Sequence, residues 1–83
     1  MADKIVRFTA PWCAPCKALA KSLEGVDLGV EMEVVDIEES PDMAKLIGIR
    51  SVPTMVYLRD GEEIDRRVGA MSVDRLKDWI AAV

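Results

Sequence analysis

Ile5-Val6-Arg7-Phe8-Thr9-Ala10-Pro11-Trp12-Cys13-Ala14-Pro15-Cys16-Lys17 decides how this chain is read. Ile5 to Thr9, apolar or β-branched around one arginine, predicts a strand, which Ala10-Pro11 ends. Beyond it Cys16, Leu19, Ala20 and Leu23 recur at helical spacing, with Lys17, Lys21 and Glu24 off the stripe. Pro15 suits a first helical turn and Gly25 a stop. Both cysteines therefore lie where a strand passes into a helix. Free amides and about half a positive charge at the helix start favour a thiolate at Cys13. Cys16, one turn further on, is within reach of a mixed disulfide formed at Cys13. Such a pair passes electrons to a disulfide in two thiolate attacks.

Outward from this segment, residues 30–37 predict a second strand through Met32, Val34, Val35 and Ile37. Ser40-Pro41-Asp42 reads as a helix start, with a hydroxyl cap, a proline in the first turn and an early carboxylate. Met43, Ala44, Leu46 and Ile47 are expected on its buried side, and Gly48 ends it. Residues 54–58 and 62–68 predict two further strands, with Asp60-Gly61 as their hairpin turn. Ser72 caps a last helix whose apolar face is Val73, Leu76, Trp79, Ile80 and Val83. The order is β-α-β-α-β-β-α. A right-handed βαβ crossover followed by a ββα unit makes an α/β protein: one four-stranded mixed sheet between helices, three layers in all.

The 83 residues suit one domain. A hydrophobic fraction of 51% is too high for a disordered chain. No apolar run approaches the ~18–20 residues of a bilayer span. Met1-Ala2-Asp3-Lys4 leaves no room for a signal peptide ahead of the first strand, so a cytoplasmic protein with no membrane association is expected. Eleven Lys and Arg against fifteen Asp and Glu, with no His, give a net charge of −4, which argues against nucleic acid as a partner. Two thiols without an imidazole fall short of the four ligands of tetrahedral zinc; a dimer sharing thiolates, or carboxylate ligation, is what remains of a metal reading. A purely structural disulfide across so short a loop contributes roughly 2 kcal/mol at best. The expectation is therefore no metal and no cofactor beyond a redox-active Cys13–Cys16 disulfide.

Trp12-Cys13-Ala14-Pro15-Cys16-Lys17 resembles the thioredoxin active-site segment W-C-G-P-C-K, with Ala14 where Gly is usual. Gly48-Ile49-Arg50-Ser51-Val52-Pro53-Thr54 is similar to the segment that carries that family's cis-proline. Asp60-Gly61-Glu62 matches its hairpin, and Val68-Gly69-Ala70-Met71-Ser72 its last strand-to-helix turn. The resemblance implies a single thioredoxin-like domain over residues 1–83 that lacks the family's N-terminal β-α extension. It implies a monomeric reductase of protein disulfides, with Cys13 as nucleophile and Cys16 as resolving thiol. A thioredoxin-reductase-like flavoenzyme would be the reductant. The glutaredoxin-like size is also that of small thioredoxins that donate electrons to ribonucleotide reductase.

By the same resemblance, substrate docks on Trp12, Ile49, Val52, Pro53, Gly69 and Ala70. Pro53 is then cis and leaves the Val52 backbone free to pair with a substrate strand. Read from its residues alone, Pro53 is equally an ordinary trans proline at a strand start. A glutathione-linked glutaredoxin is the main alternative. Against it stand Ala14-Pro15 in place of Pro-Tyr, and Gly69-Ala70-Met71 without paired glycines. A redox-silent binding module is the other.

Departures from the family pattern concentrate around Arg7. It occupies the strand position where thioredoxins bury an Asp, Val34 stands in for that Asp's Lys partner, and Lys21 replaces a helix-kinking Pro. Ile5, Arg7 and Thr9 share one strand face. With the first two strands parallel, the resemblance sets Arg7 opposite Val34, and Asp36 lies about 6–7 Å further along the same face. An Arg7–Asp36 ion pair beneath the dithiol helix is the expectation, since a guanidinium cannot shed its charge. The alternative is a side chain that reaches past the strand edge to solvent. Trp79 and Tyr57 read as core. Glu38-Glu39 and the group Glu62, Glu63, Asp65 read as solvated faces. The methionines read as gap-fillers unless Met71 lies beside the site.

Overall fold

The structure, a computed structural model, describes residues 2–83. Its elements are β1 (Asp3–Thr9), α1 (Ala14–Ser22), β2 (Glu31–Asp36), α2 (Pro41–Ile47), β3 (Thr54–Arg59), β4 (Glu62–Val68) and α3 (Val73–Ala82). They form a four-stranded sheet in the order β2-β1-β3-β4. β1 and β2 run parallel, as a helical crossover requires, and the other two pairings are antiparallel. Asp60 and Gly61 both take positive φ in the tight β3–β4 turn, where the mirror-image backbone matches strand twist. The expected strand and helix order holds throughout; β1 begins two residues early, at Asp3, and β2 is trimmed to Glu31–Asp36.

Period-two alternation splits β1 between two cores. Ile5 joins Leu19, Met55, Tyr57, Leu76 and Trp79 on the face covered by α1 and α3. Val6 and Phe8 join Val35 and Val56 on the other face, where Ile47 of α2 packs. Fully burying a Leu, Ile, Phe or Met side chain stabilises by about 1.5–3 kcal/mol, and Ile5, Phe8, Met55 and Leu76 are all fully buried. Tyr57 and Trp79 meet edge to face at 5.7 Å between ring centroids. Met71 packs against this core, as a gap-filler.

Helix α2 departs from its sequence reading. Only Ala44 is buried; Met43 and Leu46 are exposed, Leu46 by 87%. The helix is too short to turn a wide stripe inward, and Ala44 and Ile47, one turn apart, carry the contact. Ser40 occupies the N-cap position, but its hydroxyl makes no capping hydrogen bond. Gly48 closes the helix in the left-handed conformation, φ 77°, as a C-terminal glycine does. The Ser72 hydroxyl does cap α3, accepting the Arg75 N–H at 3.2 Å.

Candidate active site

The C-terminal ends of the parallel strands β1 and β2 lie side by side, tied by the Ile37 N–H to the Thr9 carbonyl at 2.9 Å. The chain leaves β1, turns through Ala10-Pro11-Trp12, and enters α1 with Cys13 as N-cap and Pro15 in the first turn. Proline costs nothing there, since its missing N–H would have no intrahelical partner. Cys13 and Cys16 are joined as a disulfide, their Cα atoms 5.2 Å apart. The Cys13 sulfur accepts the Cys16 N–H at 3.2 Å, taking the role a Ser or Asp oxygen plays in an ordinary cap. An amide and the helix dipole are thereby aimed at the Cys13 sulfur, and both favour negative charge on it. Cys13 is 4% and Cys16 1% exposed, packed with Ala10.

The loop before β3 closes over the pair from the far side. The Val52–Pro53 bond is cis, and the Val52 carbonyl oxygen lies 3.6 Å from the Cys13 sulfur. Pro53 is fully buried, so its ring offers no surface to a partner, and its carbonyl accepts the Gly69 N–H at 2.8 Å. Val52 packs against the cysteine cluster, and both Ile49 and Val52 pack against the α2-side core. Ala70 is exposed. Trp12 stands out at 65% exposure, and its indole N–H donates to the Glu38 carboxylate at 2.7 Å. That partner escaped the sequence reading, which left Glu38 among solvated charges; its one signal was its position, directly after the strand whose end adjoins the dithiol loop.

Arg7 faces Val34, as the register expectation required, while Asp36 faces Thr9. The expected Arg7–Asp36 ion pair is absent among the described residues. Asp36 instead turns its Oδ1 forward to accept the Glu38 N–H at 2.8 Å, a local turn that competes with a partner back along the strand. Nor does Arg7 reach solvent freely: it is 8% exposed, and its buried Nε has no hydrogen-bond partner among the described residues. Among the described residues no group of three or more His, Cys, Asp or Glu could hold a metal ion.

A dithiol on a helix N-terminus, at the edge of a three-layer α/β/α fold, defines a thiol-disulfide oxidoreductase. The chain belongs to the thioredoxin family, whose family model, Thioredoxin, matches residues 1–82. It is 35% identical over 80 residues to thioredoxin of Rickettsia bellii, covering 92% of this chain and 76% of that one. It is 40% identical over 82 residues to thioredoxin of Chlamydia muridarum, covering 93% and 78%. A mutant thioredoxin from Halobacterium salinarum superposes with a TM-score of 0.86 at 33% identity, covering 98% of this chain and 74% of that one. Members of this family are disulfide reductases, acting on disulfide-containing substrates and drawing on reductase partners in general. No helix among the described residues is long and apolar enough to cross a membrane.

Proposed function

We propose that residues 1–83 act as one monomeric, cytoplasmic domain that reduces protein disulfides, with Cys13 attacking and Cys16 resolving. The observation that carries this assignment is the Cys16 N–H aimed at the Cys13 sulfur at 3.2 Å, since a thiolate at the N-cap receives that amide. The Cys13–Cys16 disulfide is the redox group. A flavoenzyme of thioredoxin-reductase type returns it to the dithiol, and disulfides such as that of ribonucleotide reductase are its acceptors. Substrate backbone pairs alongside Val52, whose carbonyl lies beside the Cys13 sulfur, while Trp12, Ile49, Gly69 and Ala70 form the apolar surround. Pro53 acts from beneath, positioning Val52, because its own ring is buried.

Cys16→Ser is expected to leave a long-lived mixed disulfide between Cys13 and a protein substrate, whereas Cys13→Ser traps nothing. Modification of Cys16 ahead of Cys13 by iodoacetamide at neutral pH would reverse the assignment. Supplying either a thioredoxin reductase with NADPH, or glutathione with its reductase, identifies the reductant. Turnover supported by glutathione alone would move the chain to the glutaredoxin alternative.

A further inference from the structure

Arg7 is a largely buried charge whose Nε has no hydrogen-bond partner among the described residues. It projects from the β1 face that carries Ile5, between Val34 of β2 and Met55 of β3. It opens onto a crevice of about 330 Å³ beneath α1, whose walls include Cys16, Lys17, Ala20, Val34 and Asp36. The charged groups that face this space are few. Lys17 comes from α1 and Asp36 from the end of β2, while the adjoining crevice adds Glu24 and Asp27 from the segment between α1 and β2. None of them pairs with Arg7 among the described residues, and the Arg7 Nε stays unsatisfied. Burial lowers the pKa of the guanidinium from its ordinary value, yet arginine remains a cation at any working pH.

A largely buried, unpaired cation lowers the energy of any anion that forms near it. Of the groups in this crevice, Cys16 is the one whose charge changes during disulfide exchange. We propose that Arg7 is a positioning residue whose charge holds Cys16 as a thiolate for the resolving attack. This rests on the assignment of Cys16 as the resolving thiol. In the first step the Cys13 thiolate attacks the substrate disulfide, and one substrate sulfur leaves as a thiolate that takes a proton from water. Cys16 then loses its proton to water through the open crevice. Its thiolate attacks the Cys13 sulfur and breaks the mixed disulfide, and the second substrate sulfur leaves and is protonated in turn. The two cysteines give up two electrons, and the substrate disulfide gains them. No buried carboxylate has to accept the Cys16 proton in this scheme, because the arginine makes the thiolate accessible instead.

The two steps separate when the reduced protein is mixed rapidly with an aromatic disulfide that releases a coloured thiolate. The first equivalent reports the attack of Cys13, the second that of Cys16. Arg7→Met is expected to slow the second release about tenfold at neutral pH, to shift its pH profile up by about one unit, and to leave the first release little changed. Arg7→Lys, which keeps the charge, should restore most of the rate. In a Cys13→Ser background, the thiolate absorbance of Cys16 should titrate below the ordinary thiol value of about 8.5 while Arg7 is present. Titration of Cys16 at or above that value with Arg7 intact overturns the proposal without any Arg7 variant having to fold. So does an unchanged second release in Arg7→Met, even if its melting temperature moves. Failure of the Cys16 assignment looks different: Cys16→Ser would then lose the first release, and not only the second.

Discussion

Two arginines on neighbouring strands, at opposite ends of the sheet, are treated in opposite ways. Arg59, at the end of β3, gives Nε and Nη2 to the two oxygens of Asp3, each at 3.1 Å, and a further bond from Nη2 to the Val83 carbonyl at 3.3 Å. The Tyr57 hydroxyl completes the cluster with a 2.6 Å bond to Asp3, and the guanidinium lies 5.8 Å from the Tyr57 ring centroid. Arg59 Nε and Nη2 and the Tyr57 hydroxyl all have acceptors there, and the cluster ties the first strand, the third strand and the C-terminus together. Arg7, buried under the dithiol helix, has no such partner among the described residues. The same side chain thus serves as a clasp where its charge is spent on the fold, and as a field where its charge is left over. A protein this small has little stability to spare, so an unpaired buried charge retained next to the cysteines points to chemistry.

The contrast breaks or holds on the sign of two substitutions. Arg7→Met removes a desolvated, unsatisfied group and leaves an apolar side chain of similar length, so stability should rise by about 1–3 kcal/mol. Arg59→Met should instead lower the melting temperature, since Asp3 and the Val83 carbonyl lose the guanidinium together and Asp3 keeps only Tyr57 of its side-chain donors. Thermal unfolding of the two variants in parallel decides the matter: if both lose stability, Arg7 is a clasp as well. A smaller effect is expected at acid pH. Hydrogen bonds from Arg59 and Tyr57 hold the Asp3 carboxyl below its ordinary 3.8, and the Arg66 guanidinium holds Glu63 below 4.5. For depressed carboxyls the stabilisation is full above the ordinary values and is lost as pH falls through the folded ones. The melting temperature should therefore fall below about pH 4, and Asp3→Asn should flatten part of that fall. Tyr57→Phe, which keeps the ring against Trp79 and removes one donor, should cost less than Arg59→Met.

Sequence patterning reached most of this molecule because most of it is dictated locally. Asp60-Gly61 could only be a tight hairpin turn, and Ser72 only a cap. Cys13 to Cys16 could only straddle a strand end and a helix start. The failures share a cause, in that each needed knowledge of which local option would win. Met43 and Leu46 fit an apolar stripe on paper, but α2 makes one turn of contact and leaves both outside. Asp36 was within reach of Arg7, but an acceptor two residues before a free N–H closes a turn at much lower entropic cost than a long side chain pays to reach it. Glu38 met Trp12 across two loops, a contact that no periodicity encodes. Asp36→Asn is expected to leave stability within about 0.5 kcal/mol of the parent, because the amide oxygen can still close that turn. A larger loss would revive the ion pair.

The Trp12–Glu38 bond offers the finest test, because it lies at the dithiol end yet resembles a clasp. Both groups are exposed, so their bond competes with water and contributes little to folding. What it fixes is the attitude of a large flat side chain beside the cysteines. Glu38→Ala should leave stability within about 0.5 kcal/mol of the parent. It should change the fluorescence of Trp12, raise KM for a protein disulfide, and spare the reaction with a small aromatic disulfide that makes no use of a docking surface. Equal losses with the large and small substrates would place Glu38 in the chemistry of the cysteines. No loss with either would reduce the bond to an ornament of the loop. Only the split result separates the surface that recognises a substrate from the buried field that acts on its sulfur.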